Sequence, residues 1–150
     1  MYGNAGSAGQ IAGRAFDPSS DEVMLFSWVV PKNYLSSNGI SFIPYWAPTT
    51  TNISGDVQWE IRCLNLIDGD AIDQTVPGGS MISQDTPNGT VNDLHIGPET
   101  TPKKYLNSFI PGSIVVMRVQ RRAATPDDYT GDAALFGVVL LWTTNSPIED

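Results

Sequence analysis

Apolar and polar residues alternate along most of this chain with the two-residue period of a β-strand. The cleanest case is residues 56–64, where Val57, Trp59, Ile61 and Cys63 alternate with Gln58, Glu60 and Arg62. Residues 113–122 repeat the pattern, with Val115, Met117 and Val119 on one face and Ile114, Val116, Arg118 and Gln120 on the other. Two runs are apolar on both faces, 23–30 (VMLFSWVV) and 133–142 (AALFGVVLLW). Read as a regular strand, the second puts Leu135, Gly137, Val139 and Leu141 on one face and Phe136, Val138, Leu140 and Trp142 on the other. One side of an antiparallel sheet covers only one of these faces, so each run calls for a second cover. The expected cover is another subunit.

Turn signals divide the rest. Pro31 ends the first run, and Ser37-Asn38-Gly39 marks a turn before a strand over 40–46, in which Pro44 points to an edge position or a bulge. Residues 49–55 form a polar turn. The stretch 65–89 is a long excursion broken by Gly69, Pro77-Gly78-Gly79 and Pro87-Asn88-Gly89, long enough to carry a small element of its own. A weaker strand follows over 90–96, and 102–109 suits a single helical turn with Pro102 near its start. Six strands, with one or two more in the arm and the long loop, predict an all-β fold: a jelly-roll-like antiparallel β-sandwich with wide crossing connections.

Residues 1–20 stand apart as an extended N-terminal arm, with the sandwich domain assigned to 21–150. The first fifteen residues are rich in Gly and Ala and carry one charge, Arg14. Such a segment builds no core of its own. It is either a disordered leader or an arm that orders against a neighbour, and in the second case Tyr2, Ile11 and Phe16 are its anchors.

Composition narrows the function. Only 16% of residues are charged, against 14 Gly and 11 Pro, a balance that favours short strands and turns over helices. The formal net charge of −8 opposes binding to a nucleic-acid backbone or an anionic membrane and suits a basic partner. The one cysteine, Cys63, is in phase with buried neighbours and reads as a small hydrophobe. The N-terminus shows neither the basic nor the apolar region of a secretion signal.

Candidate chemistry is thin. Asp68, Asp70 and Asp73 form an acidic loop that invites calcium but lacks an EF-hand's ligand spacing, and a solvated turn accounts for it better. Asp127, Asp128 and Asp132 are a weaker version of the same. His95 is the only histidine and has no nucleophile elbow or ligand cluster to serve. No catalytic, cofactor or metal site is expected, and the chain does not read as an enzyme. Lys103-Lys104, Arg118 and Arg121-Arg122 are local basic spots, either solvated or paired across a subunit boundary. Among the aromatics, Trp59 falls on a core-facing phase, while Trp28 and Trp142 suit an interface together with Phe136, Val138 and Leu140. Tyr45 and Trp46, next to Pro44 and Pro48, are the candidates for an exposed glycan platform.

Four stretches carry a resemblance: Phe26-Ser27-Trp28-Val29-Val30-Pro31, Ile43-Pro44-Tyr45-Trp46-Ala47 before a Thr-rich turn, Gly55-Asp56-Val57-Gln58-Trp59-Glu60, and Thr130-Gly131-Asp132-Ala133-Ala134-Leu135-Phe136-Gly137-Val138. Across residues 21–142 the chain resembles small β-sandwich structural proteins of tailed bacteriophages. That group includes capsid decoration (cement) proteins and the trimerising ends of fibres. The lack of a repetitive shaft brings it nearer to the cement proteins. The resemblance implies a homotrimer on the capsid surface of a virion, in contact with the major capsid protein, with no cofactor and no catalytic residue. The other class left open is a fibre receptor-binding or carbohydrate-binding module.

Overall fold

A computed structural model describes residues 13–51, 54–76, 79–104, 109–123 and 127–144. Eight strands form two sheets: β1 (Arg14–Phe16), β2 (Val23–Val29), β3 (Ile40–Pro48), β4 (Val57–Leu66), β5 (Met81–Asp85), β6 (His95–Ile96), β7 (Ile114–Arg121) and β8 (Ala133–Trp142). The strand orders are β1-β8-β3-β6 and β2-β7-β4-β5, and every pairing is antiparallel. The first strand pairs with the last, the second with the seventh, the third with the sixth and the fourth with the fifth. This is one long hairpin wrapped over itself, the winding of a jelly roll. The described residues contain no helix.

Alternation decides which side of each strand is buried. Val57, Trp59, Ile61 and Cys63 from β4 meet Val115, Met117 and Val119 from β7, all at most 1% exposed. The opposite sheet contributes Phe16, Ile40, Phe42, Trp46, Ala133 and Leu135. Trp59 and Cys63 are thus core residues, as their phase predicts. Trp28, Tyr34, Phe109 and Trp142 close one end of the sandwich, with Trp28 and Trp142 ring centroids 5.2 Å apart. Burial there pushes the Tyr34 phenol up from its usual value.

The arm and loop regions supply the two extra strands. β1 lies inside the predicted arm, so Arg14–Phe16 belongs to the sandwich although it precedes residue 21; Tyr2 and Ile11 lie outside the described residues. Within the excursion 65–89, β5 pairs with β4 along its whole length. The strand expected over 90–96 shrinks to His95–Ile96, because Asn92 takes a positive φ of 66° that breaks an extended run. Residues 105–108 of the helical turn expected over 102–109 lie outside the described residues. The start of that turn instead bridges Lys103 to Ile40.

Gly39 is the one residue type that fits its turn. Its φ is +74°, and a Cβ there would come within 2.5 Å of the Lys103 carbonyl oxygen. This brings β3 and the 103 bridge together at the closest approach the backbone allows.

β3 is an inner strand, flanked by β8 and β6, and not an edge. Pro44 is tolerated because its backbone faces away from β8, past the end of β6, where only its carbonyl is used, accepting from the Gly97 N–H at 2.9 Å. On the β8 side Tyr45 pairs with Gly137 and Trp46 with Leu135, leaving Phe136 as an extra residue in a β-bulge. The bulge reverses the phase of the last strand. Leu135 points to the core before it, and after it Val138 and Leu140 do, half-buried and packed against the core. The face left to solvent is therefore Gly137, Val139 and Leu141. The expected outward set of Val138 and Leu140 is corrected by that one inserted residue.

Candidate functional site

The two strands that are apolar on both sides lie in opposite sheets, so their outer faces point away from each other. No single contact covers both. On the β1-β8-β3-β6 sheet the outward rows are Ile96–Tyr45–Gly137, Ile43–Val139 and Ser41–Leu141. Ile96 is 61% exposed, and Val139 and Leu141 are exposed beside it. This face is apolar nearly throughout.

On the β2-β7-β4-β5 sheet the outward rows run Val29–Ile114–Leu66, Ser27–Val116–Leu64, Leu25–Arg118–Arg62 and Val23–Gln120–Glu60–Ile82. Leu25 and Val29 are each more than 60% exposed. The polar half is knitted laterally. Glu60, only 1% exposed, accepts from Arg62 Nη2 at 3.0 Å and from Gln120 Nε2 at 2.6 Å. Arg118 stands directly across from Arg62 and makes no ion pair among the described residues. Like charges in directly opposed positions are unfavourable, and Glu60 offsets only the Arg62 half of the pair.

The proposed platform does not form. Tyr45 is half-buried on the apolar face, but Trp46 is fully buried on the opposite side of β3. Trp46 donates its indole N–H to Asp85 Oδ2 at 2.9 Å and carries the His95 ring on its face, with centroids 4.7 Å apart. Adjacent residues of a strand point to opposite faces, so Tyr45 and Trp46 cannot share one platform. His95 completes a small polar cluster, its Nδ1 3.6 Å from Asp85 and its Nε2 3.1 Å from Asn88 Oδ1.

The other interface candidates separate as well. Phe16 is no arm anchor: it is fully buried and meets Trp59 edge-on at 5.3 Å. Trp28 is half-buried in the aromatic end cluster, and Trp142, 38% exposed, caps it. Phe136, the bulge residue, lies against Gly13, where a Cβ would come within 2.8 Å of its ring. Residues 67–75, which hold Asp68, Asp70 and Asp73, are all exposed, with Ile72 at 89%. Asp70 closes the turn by accepting from the Ile67 N–H at 2.9 Å. No group of three metal-ligating side chains occurs among the described residues.

The inward phase of β7 ends on a charged residue. Arg121 is in phase with Val115, Met117 and Val119 and is fully buried. All five of its N–H donors find acceptors: Nε and Nη2 on the Asp127 carboxylate at 2.8 and 2.7 Å, Nη1 on the Phe16 and Gly131 carbonyls at 3.3 and 2.6 Å, and Nη2 again on the Tyr129 carbonyl. Asp127 also accepts from the Gln58 N–H at 2.9 Å, and Asp128 accepts from that of Asp56. These acids clamp the 127–131 loop onto β1, β4 and β7.

Asp56 anchors the neighbouring corner. Hydrogen bonds from the Thr86 hydroxyl and the Gln84 amide hold its carboxyl below the ordinary value of 3.8. A depressed folded-state pKa adds stability above the unfolded value, and this is lost as pH falls through the folded one. Urea melts should therefore show the native chain more stable than Asp56→Ala at neutral pH. The gap should stay constant down to the ordinary carboxylate range and shrink below it, at about pH 3. A gap that persists undiminished in acid would rule out the carboxylate as its source.

Compared with protein-family models, curated proteins and solved structures, the chain matches none. Its surfaces and its topology are what remain to indicate a function.

Proposed function

We propose that this chain is a structural subunit of a virus particle, a capsid decoration protein that assembles as a homotrimer on the outer capsid and contacts the major capsid protein. The observation that supports this best is the pair of exposed apolar surfaces on opposite sides of one jelly roll, one along the β1-β8-β3-β6 sheet and one on the apolar half of the other sheet. A monomer that works alone has little use for two such faces, whereas a subunit inserted between its own copies and a shell uses both. Burial at roughly 25 cal/mol per Å² makes each face a substantial contribution before the costs of association. Jelly rolls serve both capsid and lectin domains, so the topology alone does not choose between them. The burial of Trp46 removes half of the glycan platform and leaves Tyr45 among apolar neighbours, without the convergent polar groups a sugar site needs.

Two measurements test the reading together: mass by light scattering and binding to a glycan array. A discrete trimer and a blank array are expected. The trimer should survive in a chain shortened by residues 1–12, which keeps β1 intact. A monomer at every concentration that binds sugars would overturn the proposal in favour of a receptor-binding module. On intact virions, an antibody to the chain should label the head surface, and label at a fibre tip would count against decoration.

A further inference from the structure

We propose that the β2-β7-β4-β5 outer face receives the acidic loop 67–73 of a second copy of this chain, with Ile72 seated on the apolar rows and Asp68 and Asp73 meeting Arg118 and Arg62. The inference rests on the reading of the chain as a self-assembling subunit, and names the surface and the partner.

Charge complementarity carries it. On a chain of net charge −8, this face presents two opposed arginines with Glu60 as their only carboxylate among the described residues. Arg62 is engaged by Glu60, and Arg118 has no acid of its own among the described residues. The loop is the inverse. It holds three exposed aspartates around an isoleucine that is 89% exposed, the most exposed large apolar side chain of those described. An apolar side chain ringed by acids matches an apolar field bordered by arginines.

A chain cannot readily make this contact with itself. The loop leaves β4 after Leu66, and Arg62 stands four positions back along the same strand, roughly 13 Å away at the rise of a strand. Row by row the face runs from Val29–Ile114–Leu66 beside the loop to the arginines beyond. A second molecule that lays its loop on the arginines covers the apolar rows in the same step. The contact joins two different surfaces, so it repeats from copy to copy, and with a rotation of about 120° per copy it closes into the ring a trimer requires. Arginine suits the role, since its planar fork binds carboxylates in pairs and loses little hydration on burial.

Charge reversal with restoration is the test. Asp70 is left alone because it holds the turn, so the loop variant is Asp68→Lys with Asp73→Lys, and the face variant is Arg118→Asp. Circular dichroism confirms that each is folded, and sedimentation equilibrium reads the association. Each variant alone should weaken association at least about 30-fold, the loss expected when one member of a buried charged pair is removed. The chain carrying all three substitutions should recover most of it, because lysines on the loop then meet an aspartate on the face. Association of the native chain should also weaken as salt rises. An oligomer indifferent to either variant, or a triple variant no better than the singles, overturns this contact while leaving the subunit reading in place. A native chain that stays monomeric at every concentration overturns both.

Discussion

Arg121→Ala should lose about 3–5 kcal/mol of folding stability, the cost of leaving a buried carboxylate without its partner. Asp127 has a side chain only 1% exposed, and water cannot replace the guanidinium without opening the 127–131 loop. The loss extends beyond one ion pair. The carbonyls of Phe16, Tyr129 and Gly131 would also lose donors, and each orphaned buried acceptor adds to the cost. Buried ion pairs can often be exchanged for apolar residues at no net loss, but this one should resist that exchange for the same reason. Arg121→Met with Asp127→Leu should therefore remain well below the native chain, and a double-mutant cycle should show strong coupling. Urea titration followed by the fluorescence of buried Trp46 and Trp59 measures all three variants. A loss under about 1 kcal/mol would mean that the loop hydrates without disturbing the sheets.

Much of the architecture follows from alternation alone. The inward set Val57, Trp59, Ile61, Cys63, Val115, Met117 and Val119 could be read directly, because β4 and β7 pair without an insertion and keep one apolar phase throughout. Two extra strands in the arm and the long loop were also legible, as segments that needed a role. The outer face of β8 was not. One extra residue, Phe136, reverses every side chain after it, and a bulge leaves no mark in hydropathy except Pro44 on the strand beside it. Arg121 was hidden by its chemistry. Its phase points inward, but an Arg-Arg pair reads as surface unless the following loop, with Asp127, Tyr129 and Gly131, is foreseen to fold back over the side chain and meet the remote Phe16 carbonyl there. Trp46 failed for a related reason: neighbouring prolines suggested exposure, whereas Asp85, far along the chain, supplies the acceptor that lets the indole be buried. The opposition of the two apolar faces depends on sheet order, which the jelly-roll winding assigns and local pattern does not.

The same coupling makes Phe16→Ala the sharpest test of where the arm ends and the domain begins. As an anchor for a neighbouring molecule, Phe16 would matter to assembly and leave the folded subunit untouched. As the core residue described above, its removal should cost about 3–5 kcal/mol, the range for deleting a buried aromatic ring and leaving a cavity. Phe16 has no exposed surface and presents itself edge-on to Trp59, which in turn touches Trp46, so the void would open at the centre of the sandwich. β1 has only three residues and sits at a sheet edge, which offers a cheaper route: the strand could detach and cap the loss at its own docking energy. Arg121 opposes that route, since the Phe16 carbonyl accepts from its Nη1 and detachment would strip a donor's partner in the interior. The expected result is therefore a global loss, seen as a lower urea midpoint with an unchanged slope. Faster hydrogen exchange should extend beyond the β8 amides that face β1. Exchange confined to those amides, with the midpoint unmoved, would return Phe16 to the arm. The Arg121 variant bears on the same bond. Phe16→Ala and Arg121→Ala together should cost less than the two separately, because without Arg121 the end of β1 can detach and the Phe16 cavity no longer has to be held open.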